Sequence, residues 1–212
     1  AIFFSEAAMT LSVLVSEIAS ELNRPNITSE QIRVKMRDAL LLLEQQNSWG
    51  YMDRFVTFKL NPSAEEPRAL PMPLGLKSIE FLRLVDSDGD YFRLREVSPA
   101  DLTFLDTGTP TRYFKDAMQY IWLDKIPDEA LTGEMSYRQY TQWSDADTFA
   151  PWPIEHFGPL IKYQTMLLLG PFVRDAELMQ MYAALREQAF KAAADANYEF
   201  EFSNSDNKMI YK

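Results

Sequence analysis

The sequence predicts an α+β fold: N- and C-terminal helix pairs form an antiparallel four-helix bundle, with a central β-rich insertion and an extended C-terminal tail. Three observations predict it. Apolar residues recur at helical spacing over residues 1–48 and again over 151–197. Between them, over 49–150, Gly and Pro punctuate runs rich in β-branched and aromatic residues. After residue 197 apolar and acidic residues alternate.

Leu11, Leu14, Val15, Ile18 and Leu22 share one helical face, with Ser12, Ser16, Glu17, Ser20 and Glu21 opposite. Asn23-Arg24-Pro25-Asn26 stops that helix. Thr28 followed by Gln31 is a capping box, which satisfies the orphan donors of a first turn. It opens a second helix whose apolar face is Ile32, Met36, Ala39, Leu40 and Leu43. The short turn makes 1–48 a helical hairpin.

In the insertion, Tyr51, Phe55 and Phe58 mark a first strand, and 61–69 is a connection. Ile79, Phe81 and Leu84 lead into Asp86-Ser87-Asp88-Gly89-Asp90, and Tyr91, Phe92 and Leu94 return, which is a hairpin because Asp-Gly supplies the positive φ of a tight turn. Ser98-Pro99-Ala100-Asp101 begins a helical turn. Residues 112–114, 120–123 and 134–140 supply further strands.

Past Pro151 and Pro153 the helical period returns with Phe157, Leu160, Ile161, Gln164, Leu167 and Leu168, and Gly170-Pro171 ends or kinks that helix. A longer one follows from about 173 to 197, with Leu178, Met181, Tyr182, Leu185, Ala189, Ala192 and Ala196 as its inner face. Over 198–212, Tyr198, Phe200 and Phe202 alternate with Glu199 and Glu201 as in a strand. A polar spacer then leads to Met209-Ile210-Tyr211. An apolar tip beyond a polar spacer points to a partner surface.

Composition narrows the function classes. The chain has 31 acidic and 21 basic residues, for a formal charge of −10, which repels nucleic acid and argues against a DNA reader. It has no cysteine, so disulfides, thiol catalysis and thiolate metal sites are excluded together. No apolar run approaches the roughly 20 residues of a membrane span, and Ala1-Ile2-Phe3-Phe4 is too short for a secretory signal. The expectation is a soluble protein that is not exported.

Individual residues that invite sharper readings do not support them. Asp86, Asp88 and Asp90 surround Gly89 at the wrong spacing for a calcium loop, because Gly stands fourth and Val97 occupies the place of the distal Glu. His156 is the single histidine, and no Gly-x-Ser-x-Gly elbow accompanies it. Nothing promotes Glu96 and Asp101, or any other carboxylate pair, to an acid and a nucleophile. Leu169-Gly170-Pro171 is a helix break and not a phosphate loop. The four Trp and ten Tyr are scattered without interleaved basic residues, which favours packing over base stacking. Arg24, Arg33, Lys35 and Arg37 are interrupted by Glu30 and Asp38, as on a solvated helix face. No catalytic residue, cofactor or metal is expected.

Several segments, in order, resemble the head-to-tail adaptor proteins of short-tailed phages, the tail tubular protein A-like family, and the related adaptors of gene transfer agents. They are TLSVLVSEIASELNR (10–24), LPMPLGLKSIEFLRL (70–84), GTPTRYF (108–114), IWLDKIPDEA (121–130), MSYRQYTQW (135–143) and HFGPLIKYQTMLLLGPFVRDAELMQMYAALREQAFKAA (156–193). Each is common alone, and their order and spacing carry the likeness over nearly the whole chain.

The resemblance implies a structural protein of the virion neck, assembled in the host cytoplasm as a homo-oligomeric ring of twelve copies. That ring would sit under the portal protein, extend the DNA channel and dock the tail nozzle or tail tubular protein, with tail fibres as a further partner. Genomic DNA would pass without specific binding, and no membrane is involved. Tyr198, Phe200, Phe202, Met209, Ile210 and Tyr211 would reach the portal, ordering on docking or adding as a strand. The hairpin of Asp86, Asp88 and Asp90 would face the nozzle or a neighbouring copy. A tail-borne cell-wall glycan hydrolase and a tail-fibre attachment module stand as alternatives.

Overall fold

The computed structural model describes residues 9–85, 88–101, 107–117 and 119–208, those from 201 on by backbone alone. The chain forms two compact units, one from Ala1–Tyr51 with Thr141–Lys212 and the other from Met52–Tyr140.

The first unit is helical: α1 (Leu11–Leu22), α2 (Ser29–Gln46), α3 (Trp152–His156), α4 (Gly158–Leu168), α5 (Gly170–Val173) and α6 (Ala176–Lys208). Thr10 caps α1, and Asn23 ends it in the left-handed conformation at φ 44°. The capping box of α2 forms in full, with the Thr28 amide donating to Gln31 Oε1 at 2.8 Å and the Gln31 amide donating to Thr28 Oγ1 at 3.2 Å. All ten apolar residues read onto the faces of α1 and α2 are buried. They pack with Leu160, Ile161 and Met166 of α4, which also carries α6. Lys162 of α4 reaches Glu21 of α1 at 2.8 Å. Burial opposes its charge, but Glu21 and Glu17 outweigh that and hold its ammonium above the usual lysine range.

The second unit contains two four-stranded sheets. Sheet 1 has the order β1-β8-β3-β4, from β1 (Asp53–Leu60), β8 (Leu131–Gln139), β3 (Leu76–Val85) and β4 (Tyr91–Arg93), and all its pairings are antiparallel. Sheet 2 has the order β2-β7-β6-β5, from β2 (Ala69–Pro71), β7 (Tyr120–Leu123), β6 (Arg112–Lys115) and β5 (Arg95–Glu96), with β5 and β6 parallel. Leu60, Leu82, Leu84 and Met135 of sheet 1 share one apolar core with Leu70, Tyr113, Ile121 and Leu123 of sheet 2. Phe58 lies directly opposite Gly133 in the β1–β8 register, and a Cβ at Gly133 would run into the Phe58 ring. The missing side chain is what lets the ring lie flat across β8.

Three expectations are corrected. The fold is a mixed α+β one with six α-helices and two four-stranded sheets among the described residues, and not a four-helix bundle carrying an insertion. Pro153, Pro159 and Pro171 stand in the first turns of α3, α4 and α5, where a missing N–H costs nothing but a preceding helix cannot continue, so the second helical stretch is divided. The β part is a compact unit with its own apolar core.

The extended tail is also overturned, because α6 runs on as helix to Lys208. No Gly or Pro occurs between Phe172 and Lys208, so no helix breaker interrupts it. Phe200 continues the face of α6 that contains Tyr182, Ala193 and Asn197, at a spacing that a two-residue reading hides. Finally, Met181, Ala192 and Ala196, assigned to the inner face of α6, are exposed, whereas Tyr182 and Ala193 are buried.

Candidate interaction surfaces

The C-terminal part of α6 is held by aromatic packing. Phe190 meets Trp49 at 5.8 Å between ring centroids, and Phe200 meets Trp152 at 5.3 Å. Trp152 in turn stacks on Tyr51 at 5.0 Å and touches Phe157 and His156. Asn197 accepts the Gly50 amide at 2.7 Å. Of the six residues expected to reach a portal, Phe200 is therefore half-buried against Trp152, while Tyr198 is 65% exposed on the other side of α6. Phe202 belongs to the helix, and Met209, Ile210 and Tyr211 lie outside the described residues. His156 is thus a ring neighbour in an aromatic cluster.

One member of that cluster, Tyr51, meets a buried carboxylate. Glu44 of α2 accepts the Tyr51 hydroxyl at 3.0 Å, the Thr141 hydroxyl at 2.6 Å and the Thr141 amide at 3.1 Å. Tyr51 and Thr141 are where the chain leaves and re-enters the helical unit, so one carboxylate fixes both crossings. Burial, followed by the Glu44 charge, raises the Tyr51 hydroxyl far above the ordinary tyrosine range, which keeps it a donor.

Of the hairpin acids, Asp88 and Asp90 are exposed in the turn between β3 and β4, where Gly89 takes φ 87°, and Asp86 lies outside the described residues. Glu96 is in an ion pair with Lys115 at 2.9 Å and accepts from Tyr113, and Arg33 pairs with Asp147. Among the described residues no group of three or more His, Asp or Glu is placed to hold a metal ion, and no helix is long and apolar enough to cross a membrane.

A surface that sequence reasoning missed is the outward face of sheet 1. Cross-strand pairing sets Phe55 of β1, Ser136 of β8 and Phe81 of β3 in one row, and Thr57, Glu134 and Arg83 in the next. The Phe55 and Phe81 rings lie 6.4 Å apart. The Arg83 guanidinium sits 5.1 Å from the Phe81 ring and 4.2 Å from the Tyr91 ring while pairing with Glu134. Phe55 and Tyr91 are 58% and 60% exposed.

A family model described as SU10 adaptor protein matches residues 9–206. The chain belongs to that family. No curated protein matches it. Membership makes this adaptor a structural phage protein and a component of the virion. The match spans both units, so helical and β parts alike belong to what defines an adaptor of this kind. For such a protein, exposed aromatic groups on a well-supported face are the features to weigh, since binding energy at protein interfaces concentrates on aromatic and Arg anchors.

Proposed function

We propose that this chain is a head-to-tail adaptor of the tail tubular protein A kind, one of twelve copies in a ring beneath the portal that extends the DNA channel and docks the tail nozzle. The observation that carries the reading is the adaptor family match over residues 9–206. The order of short segments that resembles short-tailed phage adaptors supports the finer part. The charge of −10 supports a channel through which DNA slides, since an acidic wall gives no counterion-release binding.

The portal contact in this reading is the C-terminal end of α6 from Tyr198 onward, with Tyr198 as its exposed aromatic anchor. Its helical form replaces strand addition by helix-to-surface packing as the docking mode. The hairpin containing Asp88 and Asp90 is the proposed nozzle or neighbour contact.

Mass photometry of the full chain mixed with portal protein tests this. The expected species is portal plus a complement of adaptor copies, and a chain ending at Asn197 loses at least tenfold in portal affinity. Monomers only from the full chain contradict the adaptor reading, whereas normal binding by the shortened chain contradicts the docking site alone.

A further inference from the structure

We propose that the outward face of sheet 1, anchored by Phe55 and Tyr91, docks against the acidic surface of a second copy of this chain. The inference rests on the ring reading and names the face that would join neighbours in it.

The face has the build of a protein contact. Phe55 and Tyr91 offer large apolar area at low cost in side-chain entropy, and both have a neighbour beside them on the face, Phe81 for Phe55 and the Arg83 guanidinium for Tyr91. Its ion pairs are closed within the face. Arg83 binds Glu134, and Arg138 binds Asp53 at 3.2 Å and Glu80 at 3.1 Å. A partner therefore need not supply counter-charges for those groups, so they do not become unpaired charges on docking. β1 is an edge strand of eight residues that pairs on one side only, with β8, and carries no proline or bulge. Phe55 stands on that edge, open to an approaching surface.

Charge selects the occupant. Lys59, in the β1 row that pairs with Thr132, and Arg93, opposite Arg83, lie on this face with no carboxylate of the described residues in ion-pair range. Within its strands the face therefore sets four cations (Lys59, Arg83, Arg93, Arg138) against three carboxylates (Asp53, Glu80, Glu134), one positive charge in a chain whose formal charge is −10. The surface complementary to it is acidic, and the rest of a second copy supplies one. Such a contact joins unlike patches, so it repeats around a ring and does not close as a two-fold dimer. DNA is a poor occupant, since four cations largely offset by three carboxylates give little phosphate binding.

The test places a photo-crosslinking benzoylphenylalanine at position 55 of the full chain and irradiates the complex formed with portal protein. The expected product is a crosslinked pair of adaptor copies, with the captured peptide outside residues 53–60. In parallel, Phe55→Glu lowers self-association at least tenfold with unchanged melting, while Leu74→Glu, at a 69% exposed position off this face, leaves it unchanged. Crosslinks to portal or nozzle protein alone, a captured peptide within 53–60, or full assembly by Phe55→Glu overturn the inference and leave the ring reading standing. Absence of any oligomer from the unsubstituted chain overturns both.

Discussion

Replacing Glu44 by Ala lowers the unfolding free energy by about 3–5 kcal/mol, a drop in melting temperature on the order of 10 °C. The carboxylate is fully buried, and its removal takes away the acceptor shared by three donors: the Tyr51 hydroxyl, the Thr141 hydroxyl and the Thr141 amide. Each buried donor without an acceptor costs roughly 1–3 kcal/mol, and the cavity adds to that. Glu44→Gln separates hydrogen bonding from packing. An amide oxygen in place of Oε1 keeps the two hydroxyl bonds and the 3.2 Å bond from the Thr141 amide, but the NH2 in place of Oε2 removes that amide's 3.1 Å bond and sets a second donor beside it. Gln therefore loses less than Ala, about 1–2 kcal/mol. Urea unfolding of the three proteins checks the order. Equal stability of all three would mean that Glu44 does not hold the two crossings.

The second large effect belongs to Asp124, which follows β7 and is fully buried. It accepts from the Thr111 amide at 3.0 Å, the Thr111 hydroxyl at 3.0 Å, the Arg112 amide at 3.2 Å and the Arg112 guanidinium at 3.3 Å. Burial pushes its carboxyl up, but those four donors outweigh it and leave the carboxyl below the usual aspartate range. A carboxyl depressed in the folded state stabilises the fold above the unfolded aspartate value of about 3.9, and that contribution is lost as pH falls through the folded value. Asp124→Ala is expected to cost about 3–5 kcal/mol at neutral pH, because it leaves Arg112 and two backbone donors unpaired. Asp124→Asn flattens the loss of stability below pH 4. A variant as acid-sensitive as the parent would assign that loss to other carboxylates.

These two residues also illustrate what the sequence conveys. The capping box of Thr28 and Gln31 and the apolar stripe from Leu11 to Leu22 are legible because helices are local: their partners lie within four residues. Glu44 reads as an ordinary polar residue of α2, since its partner Thr141 lies 97 residues away. The outward face of sheet 1 was illegible for the same reason. Arg83 and Glu134 are 51 residues apart, and only the β1-β8-β3-β4 order sets Phe55, Phe81 and Tyr91 on one side. An exposed phenylalanine in a strand looks like core until register is known.

The tail failed differently. Tyr198, Phe200 and Phe202 satisfy a two-residue alternation, but the same stretch also continues the helical face from Ala193 and Asn197 to Phe200. With no Gly or Pro to break α6, cooperative propagation decides for helix. Of the aromatic residues in that stretch, Phe200 packs on Trp152 while Tyr198 is exposed on the helix.

A density map of the intact virion neck tests the central claim most directly. The expected density shows this chain as a closed ring between portal and nozzle, with the end of α6 against the portal and a wall along the DNA path that carries net negative or no charge. Finding the chain away from that path, as single copies at the base of fibres, would contradict it.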